Sequence, residues 1–343
     1  MATKHNIPFL IIANGDEDTI LHTQYRKNVA LIRDYNRMDI IYIKEIIQRI
    51  NIDYKYKQVY IVPNSEYIIR FIFENKASLQ EIGVNIDYLG EQSLYEMLSD
   101  KISFYNLCRT HGMCVPLNFE DEKLKYPIVI KPKRYFDSNN KVYYPQMINN
   151  KKELDAFLNG KKEEDFFLQE YIEGKSYYLL FYIGENTEVV YSQKNILQQP
   201  YGKSMIYCKP HRFEIKIYQP FISMFREIGY KGMIMIELIK KDGQYYCIEA
   251  NPRLWGPIQL TLDNRVPIIE NFIKECGFYI ETFTEEVLYK NVYYWNGGYV
   301  EALDKYGYII DHDVNEEKNI NELIKVEVYN REDTRLIFEE ERR

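Results

Sequence analysis

The feature that most constrains the fold is a strand–turn–strand pattern in the second half of the chain. An apolar run over residues 232–239 is followed by the turn dipeptide Asp242-Gly243, and a second strand-like run covers residues 245–250. An Asp-Gly pair between two such runs is typical of a tight hairpin between antiparallel strands. The sequence therefore predicts a β-hairpin over residues 232–250.

The predicted hairpin carries polar side chains that an apolar strand would not ordinarily contain. Glu237 lies in the first strand, whereas Glu249 and Asn251 are two residues apart in the second and share a face if that strand stays extended. Strand pairing can bring the two glutamates together, and two carboxylates with an amide oxygen suit Mg²⁺. Buried acids without a cation are costly. The alternative is that both glutamates form surface ion pairs with lysines, and residue chemistry alone leaves both interpretations open.

Two basic residues stand where a bound anion would be expected. Lys131 ends the apolar strand Pro127–Ile130, and a buried ammonium is costly unless it pairs with an anion such as phosphate. The alternative partner is a carboxylate at the edge of a sheet. Arg253 follows Pro252, which breaks the second hairpin strand, and a guanidinium there can bind a phosphoryl or carboxylate group through two parallel hydrogen bonds.

The segment Ile248–Gly256 resembles the E-x-N-P-R-x-x-G signature of ATP-grasp enzymes, close to the carbamoyl-phosphate-synthase-like branch. The resemblance implies that ATP and two Mg²⁺ ions bind, with Mn²⁺ as an alternative metal. It further implies that Glu237 binds one ion, that Glu249 bridges both, and that Asn251 holds the second. Arg253 would then face the transferred phosphoryl group or the acyl phosphate, as a catalytic residue together with Lys131.

Two upstream segments follow the order of the family's other motifs. Asp100-Lys101, with a glycine and a proline downstream, resembles the D-K…G-x-x-x-P segment, which implies that Lys101 reaches the phosphates of ATP and Lys131 its α- and β-phosphates. Residues 168–174 resemble the family's hinge strand, where adenine is bound. The alternative interpretation of residues 168–174 is an ordinary edge strand that ends at a glycine turn.

The resemblance also implies contacts with the nucleoside and with the γ-phosphate. The backbone groups of Glu170 and Ile172 would hold adenine, with the side chain of Gln169 near its amino edge. Ser176 stands where the family commonly has a glutamate on the ribose hydroxyls, and its hydroxyl could still hydrogen-bond. A basic residue between hinge and hairpin often meets the γ-phosphate, and the candidates here are Lys194, Lys203, Lys209 and Arg212.

The loop over residues 133–141 departs from the family pattern. The family usually has a glycine-rich loop over the phosphates at this place, whereas this loop contains no glycine. Glycine lets backbone N–H groups approach a phosphate closely. Side chains such as Ser138, Arg134 or Lys133 would have to supply these contacts instead. The departure motivates an alternative function, in which the chain binds ATP without turning it over.

The first hundred residues alternate strand-like and helix-like segments, which predicts an open parallel α/β sheet. The predicted strands are Phe9–Ala13 and Gln58–Val62, and the predicted helices cover residues 17–33, 40–50 and 64–81. Ligands bind such sheets beyond the carboxyl ends of the strands, so the loops after Ala13 and Val62 are candidate substrate contacts, together with residues 201–212 and 253–265. At the other end of the chain, Leu323–Val328 alternates like a strand that pairs into the sheet.

The length of 343 residues indicates two or three packed domains. We predict an N-terminal pre-ATP-grasp α/β domain over residues 1–97, a central and lid subdomain over 98–190, and a C-terminal subdomain with the metal site over 191–343. The predicted class is α/β plus α+β. In full, it is an ATP-grasp fold with an N-terminal open parallel α/β domain, a small lid subdomain and a C-terminal antiparallel-sheet domain.

The implied function is a ligase that joins a small-molecule carboxylate to an amine through an acyl phosphate, with release of ADP and phosphate. Carboxylation with bicarbonate and non-catalytic ATP binding are the alternatives within the same fold, and a purely structural α/β protein is the alternative outside it. The residues do not name the acid or the amine. Dimers are common in the resembling family, so a homodimer is compatible with the sequence.

The charge and the cysteines narrow the partners and the compartment. The net charge is −7, from 44 basic and 51 acidic residues, so the chain as a whole gains no long-range attraction for nucleic acid or for an anionic membrane. The five cysteines are scattered without a zinc-like spacing. No signal peptide or membrane span is evident, which predicts a cytoplasmic protein with reduced thiols.

Overall fold

The computed structural model describes residues 1–34, 39–55, 58–119, 124–134, 138–139, 141–280 and 286–341. The N-terminal part contains two pairs of parallel strands. Strand β1 (Ile11–Asn14) pairs with β2 (Val29–Arg33), and β3 (Val59–Tyr60) pairs with β4 (Val84–Asn85). Three helices accompany them: α1 (Ile40–Tyr54), α2 (Glu66–Glu74) and α3 (Lys76–Gln80). An apolar core of mainly isoleucine side chains joins these elements. The predicted parallel pairing is confirmed by the two strand registers.

The helix predicted over residues 17–33 is wrong. Two short 3₁₀ helices, Thr19–His22 and Gln24–Asn28, precede strand β2 instead. The side chains of Asp18 and Thr23 accept hydrogen bonds from the backbone N–H groups two residues further on. Each of them therefore starts a new turn before a regular helix can extend. The residues that follow are mainly branched and apolar, and they pair with β1.

A small antiparallel sheet follows two further helices. After α4 (Gln92–Ser99) and α5 (Lys101–Thr110), the chain forms β5 (Asn118–Phe119), β6 (Ile128–Pro132), β7 (Gln146–Ile148), α6 (Lys151–Leu158) and β8 (Phe166–Glu170). The strand order is β5-β8-β6-β7. Its core packs Ile128, Ile130 and Ile148 against Leu154 and Phe166. The polar loop predicted at 133–141 lies partly outside the described residues.

A large antiparallel sheet forms the rest of the molecule. Its strands, in the order β13-β12-β9-β10-β11-β14, with β15 paired to β10, are β9 (Lys175–Ile183), β10 (Glu188–Gln198), β11 (Met205–Pro210), β12 (Gly232–Lys241), β13 (Gln244–Asn251), β14 (Tyr293–Tyr294) and β15 (Ile310–Asp311). The helices of this part are α7 (Ile215–Glu227), α8 (Ile258–Asp263), α9 (Ile268–Glu275), α10 (Asn296–Tyr306), α11 (Ile320–Lys325) and α12 (Arg335–Glu340).

The two faces of the large sheet are covered by different helices. Helices α5 and α7 cover one face, around Leu179, Phe181 and Phe225, whereas α8 and α9 cover the other, around Leu180 and Tyr182. The predicted hairpin is confirmed, because β12 and β13 pair antiparallel around the Asp242-Gly243 turn. The predicted class, parallel α/β followed by α+β with antiparallel sheets, is confirmed as well. The domain boundaries stay a prediction.

The strand predicted at 323–328 is wrong. Residues 320–325 form helix α11, because the side chain of Asn319 accepts a hydrogen bond from the backbone N–H of Glu322 at 3.3 Å and so caps a helix start. Leu323 is then the buried position of that helix. Among the described residues, no helix combines the length and the apolar character that crossing a lipid bilayer requires.

Candidate functional site

A cleft of about 1510 Å³ lies where the small sheet faces the hairpin and the start of α5. It gathers nine of the eleven site residues that the sequence predicts: Lys101, Lys131, Gln169, Glu170, Ile172, Glu237, Glu249, Asn251 and Arg253. The cleft also reaches residues 64–66, 201 and 202, which belong to the predicted substrate loops. The loop after Ala13 does not line it. The remaining two predicted residues, Ser176 and Lys194, lie outside its lining.

Glu237 and Glu249 face each other across the hairpin. They are direct partners in the β12–β13 register, and Ile248 is an extra residue in β13 that shifts the register just after this pair. Burial and the neighbouring Glu249 raise the pKa of Glu237 to about 8. Burial acts on Glu249 in the same direction, but Lys101 and Asn251 outweigh it, so the pKa of Glu249 is lowered. Near neutral pH the pair therefore holds one proton and one negative charge.

Asn251 and Arg253 extend this acidic pair. The Asn251 amide donates to Glu249 Oε1 at 2.8 Å, and its Oδ1 accepts from an Arg253 guanidinium nitrogen at 3.2 Å. An amide oxygen has a second lone pair, so it can still bind a cation. The described residues contain no cluster of three or more His, Cys, Asp or Glu side chains; the donors here are two carboxylates and one amide. That hard-oxygen set fits a divalent cation that keeps water and phosphate as its other ligands.

Lys131 is a buried cation with a neutral partner. Its side chain is 5% exposed, and Nζ donates to the Tyr105 hydroxyl at 3.0 Å. No carboxylate among the described residues forms an ion pair with it, so the sheet-edge carboxylate considered as an alternative is not found. Burial lowers the pKa of Lys131 to about 8, although Glu249 and Glu237 act in the opposite direction. A lysine held in this way is electrostatically unsatisfied and faces a cleft.

Lys101 is positioned by the start of helix α5. Asp100 caps that helix by accepting from the backbone N–H of Ser103 at 2.8 Å, which makes Lys101 the first helical residue. Its Nζ lies 3.6 Å from Glu249 Oε2. The helix therefore fixes the base of the side chain, while the ammonium stays at the edge of the cleft, next to the acidic pair.

Tyr105 is a site residue that sequence reasoning missed. Its hydroxyl donates to the carbonyl of Ile248 at 2.6 Å, in the irregular stretch of β13, and it also contacts Gln169 Oε1 at 3.3 Å. One phenol therefore connects Lys131, the hinge strand and the hairpin. The only hint in the sequence is its spacing of four residues from Lys101, which puts both side chains on one side of α5.

The hinge strand is built closely against the rest of the protein. Gln169 is buried and donates to Asn118 Oδ1 at 3.0 Å, so its side chain is already engaged. Gly174 has no room for a side chain, because an added Cβ would lie 2.2 Å from the backbone oxygen of Lys240. The glycine thus allows the chain to pass directly over β12. The adenine contacts predicted for Gln169, Glu170 and Ile172 stay predictions.

Ser176 is enclosed in the sheet. Its hydroxyl donates to Glu237 Oε1 at 3.3 Å and accepts from the Asn195 amide at 2.8 Å, and Gln193 donates in turn to Asn195 Oδ1 at 2.7 Å. All three of these polar residues are buried. The structure thus places Ser176 behind Glu237, although the sequence suggested a ribose contact. The chain of three becomes visible only when the strand register is known.

Lys194 points away from the acidic pair. In the sheet register Gln193 is opposite Tyr178, which is opposite Glu237, so Lys194 lies on the other face. Its Nζ contacts Asp313 at 2.5 Å and Glu316 at 3.0 Å. Burial opposes its charge, but these two carboxylates outweigh burial and raise the pKa of Lys194. The predicted γ-phosphate contact is therefore not brought to the cleft in this conformation.

Comparison with known proteins agrees with this geometry. The sequence profile of the ATP-grasp domain family matches residues 98–257. No curated protein sequence matches the chain significantly.

Three solved structures share the fold at low sequence identity. The biotin carboxylase domain of Hydrogenobacter thermophilus 2-oxoglutarate carboxylase, solved with MgADP, ADP and bicarbonate, has 15% identity and a TM-score of 0.62, over 85% of this chain and 69% of that one. N5-carboxyaminoimidazole ribonucleotide synthetase from Thermus thermophilus has 11% identity and a TM-score of 0.60, over 85% of this chain and 77% of that one. An L-amino acid ligase from Bacillus licheniformis has 14% identity and a TM-score of 0.56, over 83% of this chain and 78% of that one.

The profile match covers the small sheet and strands β9 to β13 of the large sheet. Nine of the predicted site residues converge there on one electrostatically unsatisfied cleft. The chain therefore has the ATP-grasp fold, and its residues 98–257 match the ATP-grasp domain family.

Proposed function

We propose that this protein is an ATP- and Mg²⁺-dependent ligase that joins a carboxylate to an amine through an acyl phosphate. The observation that carries the proposal is Lys131, a buried ammonium that lines the cleft and has only a neutral phenol as its hydrogen-bond partner among the described residues. Such a charge is costly alone and is offset by a polyanion. A nucleoside triphosphate supplies one.

The side chains divide the work along the cleft. Lys131 and Lys101 would offset the charge of the triphosphate. Glu237, Glu249 and Asn251 would hold Mg²⁺, which supplies further positive charge beside the transferred phosphoryl group. Arg253, held to Asn251 at 3.2 Å, would steady the phosphoryl group as it moves.

The proposed reaction has two steps. A carboxylate oxygen attacks the γ-phosphorus, the bond to the β–γ bridging oxygen breaks, and ADP leaves. The amine nitrogen then attacks the acyl carbon, phosphate leaves, and the nitrogen loses a proton. The small sheet would cover the cleft during both steps and keep water from the acyl phosphate.

Two other functions use the same cleft and stay alternatives. Bicarbonate can replace the organic acid as the phosphoryl acceptor, and a neighbouring structure was solved with bicarbonate. Non-catalytic ATP binding is the other, motivated by the glycine-free loop at 133–141. A paired acidic site with an adjacent arginine favours turnover, because nucleotide binding alone does not require an arginine beside the metal donors.

The test measures ADP release from Mg²⁺-ATP with a panel of amino acids, sugar acids, bicarbonate and amines. Glu249→Gln keeps the size of the side chain and removes a metal-binding charge. Glu164→Gln makes the same change at an exposed position outside the cleft. We expect release that needs an acid and an amine, is lost in Glu249→Gln and is intact in Glu164→Gln. Release with bicarbonate alone would indicate a carboxylase, and full activity of Glu249→Gln would refute the proposed site.

A further inference from the structure

The C-terminal segment, residues 308–313, supplies one wall of the cleft through Tyr308, Ile310, Asp311 and His312. This segment lies beyond the matched ATP-grasp domain, which covers residues 98–257. Strand β10 pairs with β9 as far as Lys194 and then with β15 through Leu197 and Gln198. Because β11 occupies the other side of β10, β15 takes the place that β9 leaves. An ion pair of 3.0 Å between Lys175 and Asp313 fixes this junction. The segment therefore sits beside the hinge, which ends at residue 174.

Two hydrogen bonds to strand β10 hold His312 in place. Its backbone N–H donates to the Ile196 carbonyl at 2.9 Å, and its Nε2 lies 2.8 Å from Gln198 Oε1. The amide of Gln198 donates in turn to the backbone oxygen of Lys203 at 2.8 Å. That backbone oxygen can only accept, so it orients the amide and leaves Gln198 Oε1 facing the imidazole. His312 must then carry its proton on Nε2.

The opposite ring nitrogen is consequently a hydrogen-bond acceptor. His312 lines the cleft and is half-buried, and no described residue bonds to its Nδ1. Burial lowers the pKa of His312 to about 4, so the ring is neutral at physiological pH and Nδ1 keeps its lone pair. The protein thus presents one fixed acceptor to the cleft, next to the hinge.

The position of His312 Nδ1 along the cleft indicates which part of a bound ligand it can contact. Lys240 pairs with Lys175 at the hinge end of the sheet, and Glu237 lies three residues further along β12. Three residues of strand span about 10 Å, and β15 lies beyond Lys175 in the opposite direction. An amine that attacks an acyl phosphate must reach the acidic pair, so His312 is too remote to orient it. A nucleoside bound at the hinge would place its sugar within this end of the cleft.

We propose that His312 Nδ1 accepts a hydrogen bond from a ribose hydroxyl of the nucleotide and makes the site selective for ribonucleotides. This inference rests on the proposed use of ATP. Ser176 does not supply the contact, because its hydroxyl is buried between Glu237 and Asn195.

The test compares the Kd values of Mg²⁺-ATP, 2′-deoxy-ATP and 3′-deoxy-ATP by calorimetry, for the full chain and three variants. His312→Phe keeps a planar ring and removes the acceptor, whereas His312→Asn keeps an acceptor. His211→Phe is the matched control, because that ring packs against Tyr177 with centroids 4.8 Å apart and does not line the cleft. The ratio of Kd values within one variant does not depend on the fraction of folded protein.

We expect the wild type and His211→Phe to bind ATP about 5- to 20-fold more tightly than one of the two deoxynucleotides, as loss of a hydrogen bond to a half-buried acceptor implies. His312→Phe should bring that ratio close to one by weakening ATP alone, and His312→Asn should restore part of it. Equal weakening of all three nucleotides in His312→Phe, or no selectivity in the wild type, overturns the inference while leaving ATP use intact. No binding of any nucleotide to the wild type would instead overturn the proposed function.

Discussion

Replacing Lys131 by methionine should make the protein more stable and less able to bind ATP. The side chain is 5% exposed, and its ammonium donates only to the neutral Tyr105 hydroxyl. Methionine has a similar length and no charge, so it fills the same space in the small sheet. The substitution therefore separates the cost of the charge from the packing of the side chain.

The expected gain follows from the pKa of Lys131. Its value falls from 10.5 to about 8 on folding, chiefly because of burial. Each pKa unit corresponds to about 1.4 kcal/mol, so the folded state carries a penalty of about 3 kcal/mol for the charged lysine. Removing the charge removes this penalty, but loss of the hydrogen bond to Tyr105 costs about 1 kcal/mol. The net stabilisation should be about 1–3 kcal/mol, which corresponds to a rise in Tm of a few degrees.

The pH dependence gives a second test of the same reasoning. Below pH 8 the lysine is charged in both the folded and the unfolded state, and the full penalty applies. Between pH 8 and 10.5 the folded state loses the proton first, so the unfolded state binds more protons and the stability of the wild type rises with pH. The Tm difference between Lys131→Met and the wild type should therefore shrink across this window.

Thermal unfolding with and without Mg²⁺-ATP measures both effects in one experiment. Loss of charge-assisted contacts with phosphate should weaken ATP binding roughly 10- to 150-fold and reduce the ligand-induced rise in Tm. The control is Lys162→Met at an exposed position, which should change neither quantity. A less stable Lys131→Met protein would mean that an internal partner already offsets the charge. An unchanged affinity for ATP would remove Lys131 from the site.

Three further predictions concern a hydrogen bond behind Glu237, a close backbone approach at Gly174 and a buried carboxyl group at Glu327. Ser176→Ala removes the hydroxyl that donates to Glu237 at 3.3 Å, and it should weaken Mn²⁺ binding by about tenfold in a titration followed by electron paramagnetic resonance; unchanged affinity would make the contact incidental. Gly174→Ala should lower Tm strongly, because its Cβ would meet a backbone oxygen at 2.2 Å, whereas Gly256→Ala, with nothing within 4 Å, should not. Burial raises the pKa of Glu327 to about 7. As pH rises from 4.5 through 7, the unfolded state loses this proton first, so the free energy of unfolding of the wild type should fall by up to about 3 kcal/mol, and that of Glu327→Gln should not. Parallel curves of Tm against pH for the two proteins would contradict this.

Local sequence patterns predicted the parts of the site that depend on neighbouring residues. The hairpin that carries Glu237 and Glu249 was predictable because a turn dipeptide joins its two strands, whereas the extra residue Ile248, which brings Glu249 opposite Glu237, was not. Lys131 was predictable because an apolar strand that ends in lysine creates a charge problem whatever the fold. Both features are settled within about twenty residues of chain.

Features that depend on long-range register were not predictable. Lys194 and Asn195 are adjacent in the sequence, yet one contacts Asp313 and the other reaches Ser176, because neighbouring residues of a strand point to opposite faces. A shift of one residue in the register would move each of these side chains to the opposite face of the sheet. The approach of His312 to the hinge depends on two residue pairs between β15 and β10, for which the sequence offers no local pattern.

The electrostatics of the cleft explain why its charges are not resolved within the protein. Lys131 and the Glu237–Glu249 pair lie in one cleft with opposite charges, yet the described structure contains no ion pair between Lys131 and either carboxylate. Burial lowers the pKa of Lys131 to about 8, and burial together with Glu249 raises the pKa of Glu237 to about 8. A direct ion pair would relieve both costs and would leave the cleft with nothing to bind. Kept apart, the lysine needs an anion and the carboxylate pair needs a cation. A ligand that brings a divalent cation and a polyphosphate together satisfies both at once. Binding should therefore be strongly cooperative between metal and nucleotide, with each weakening when the other is omitted.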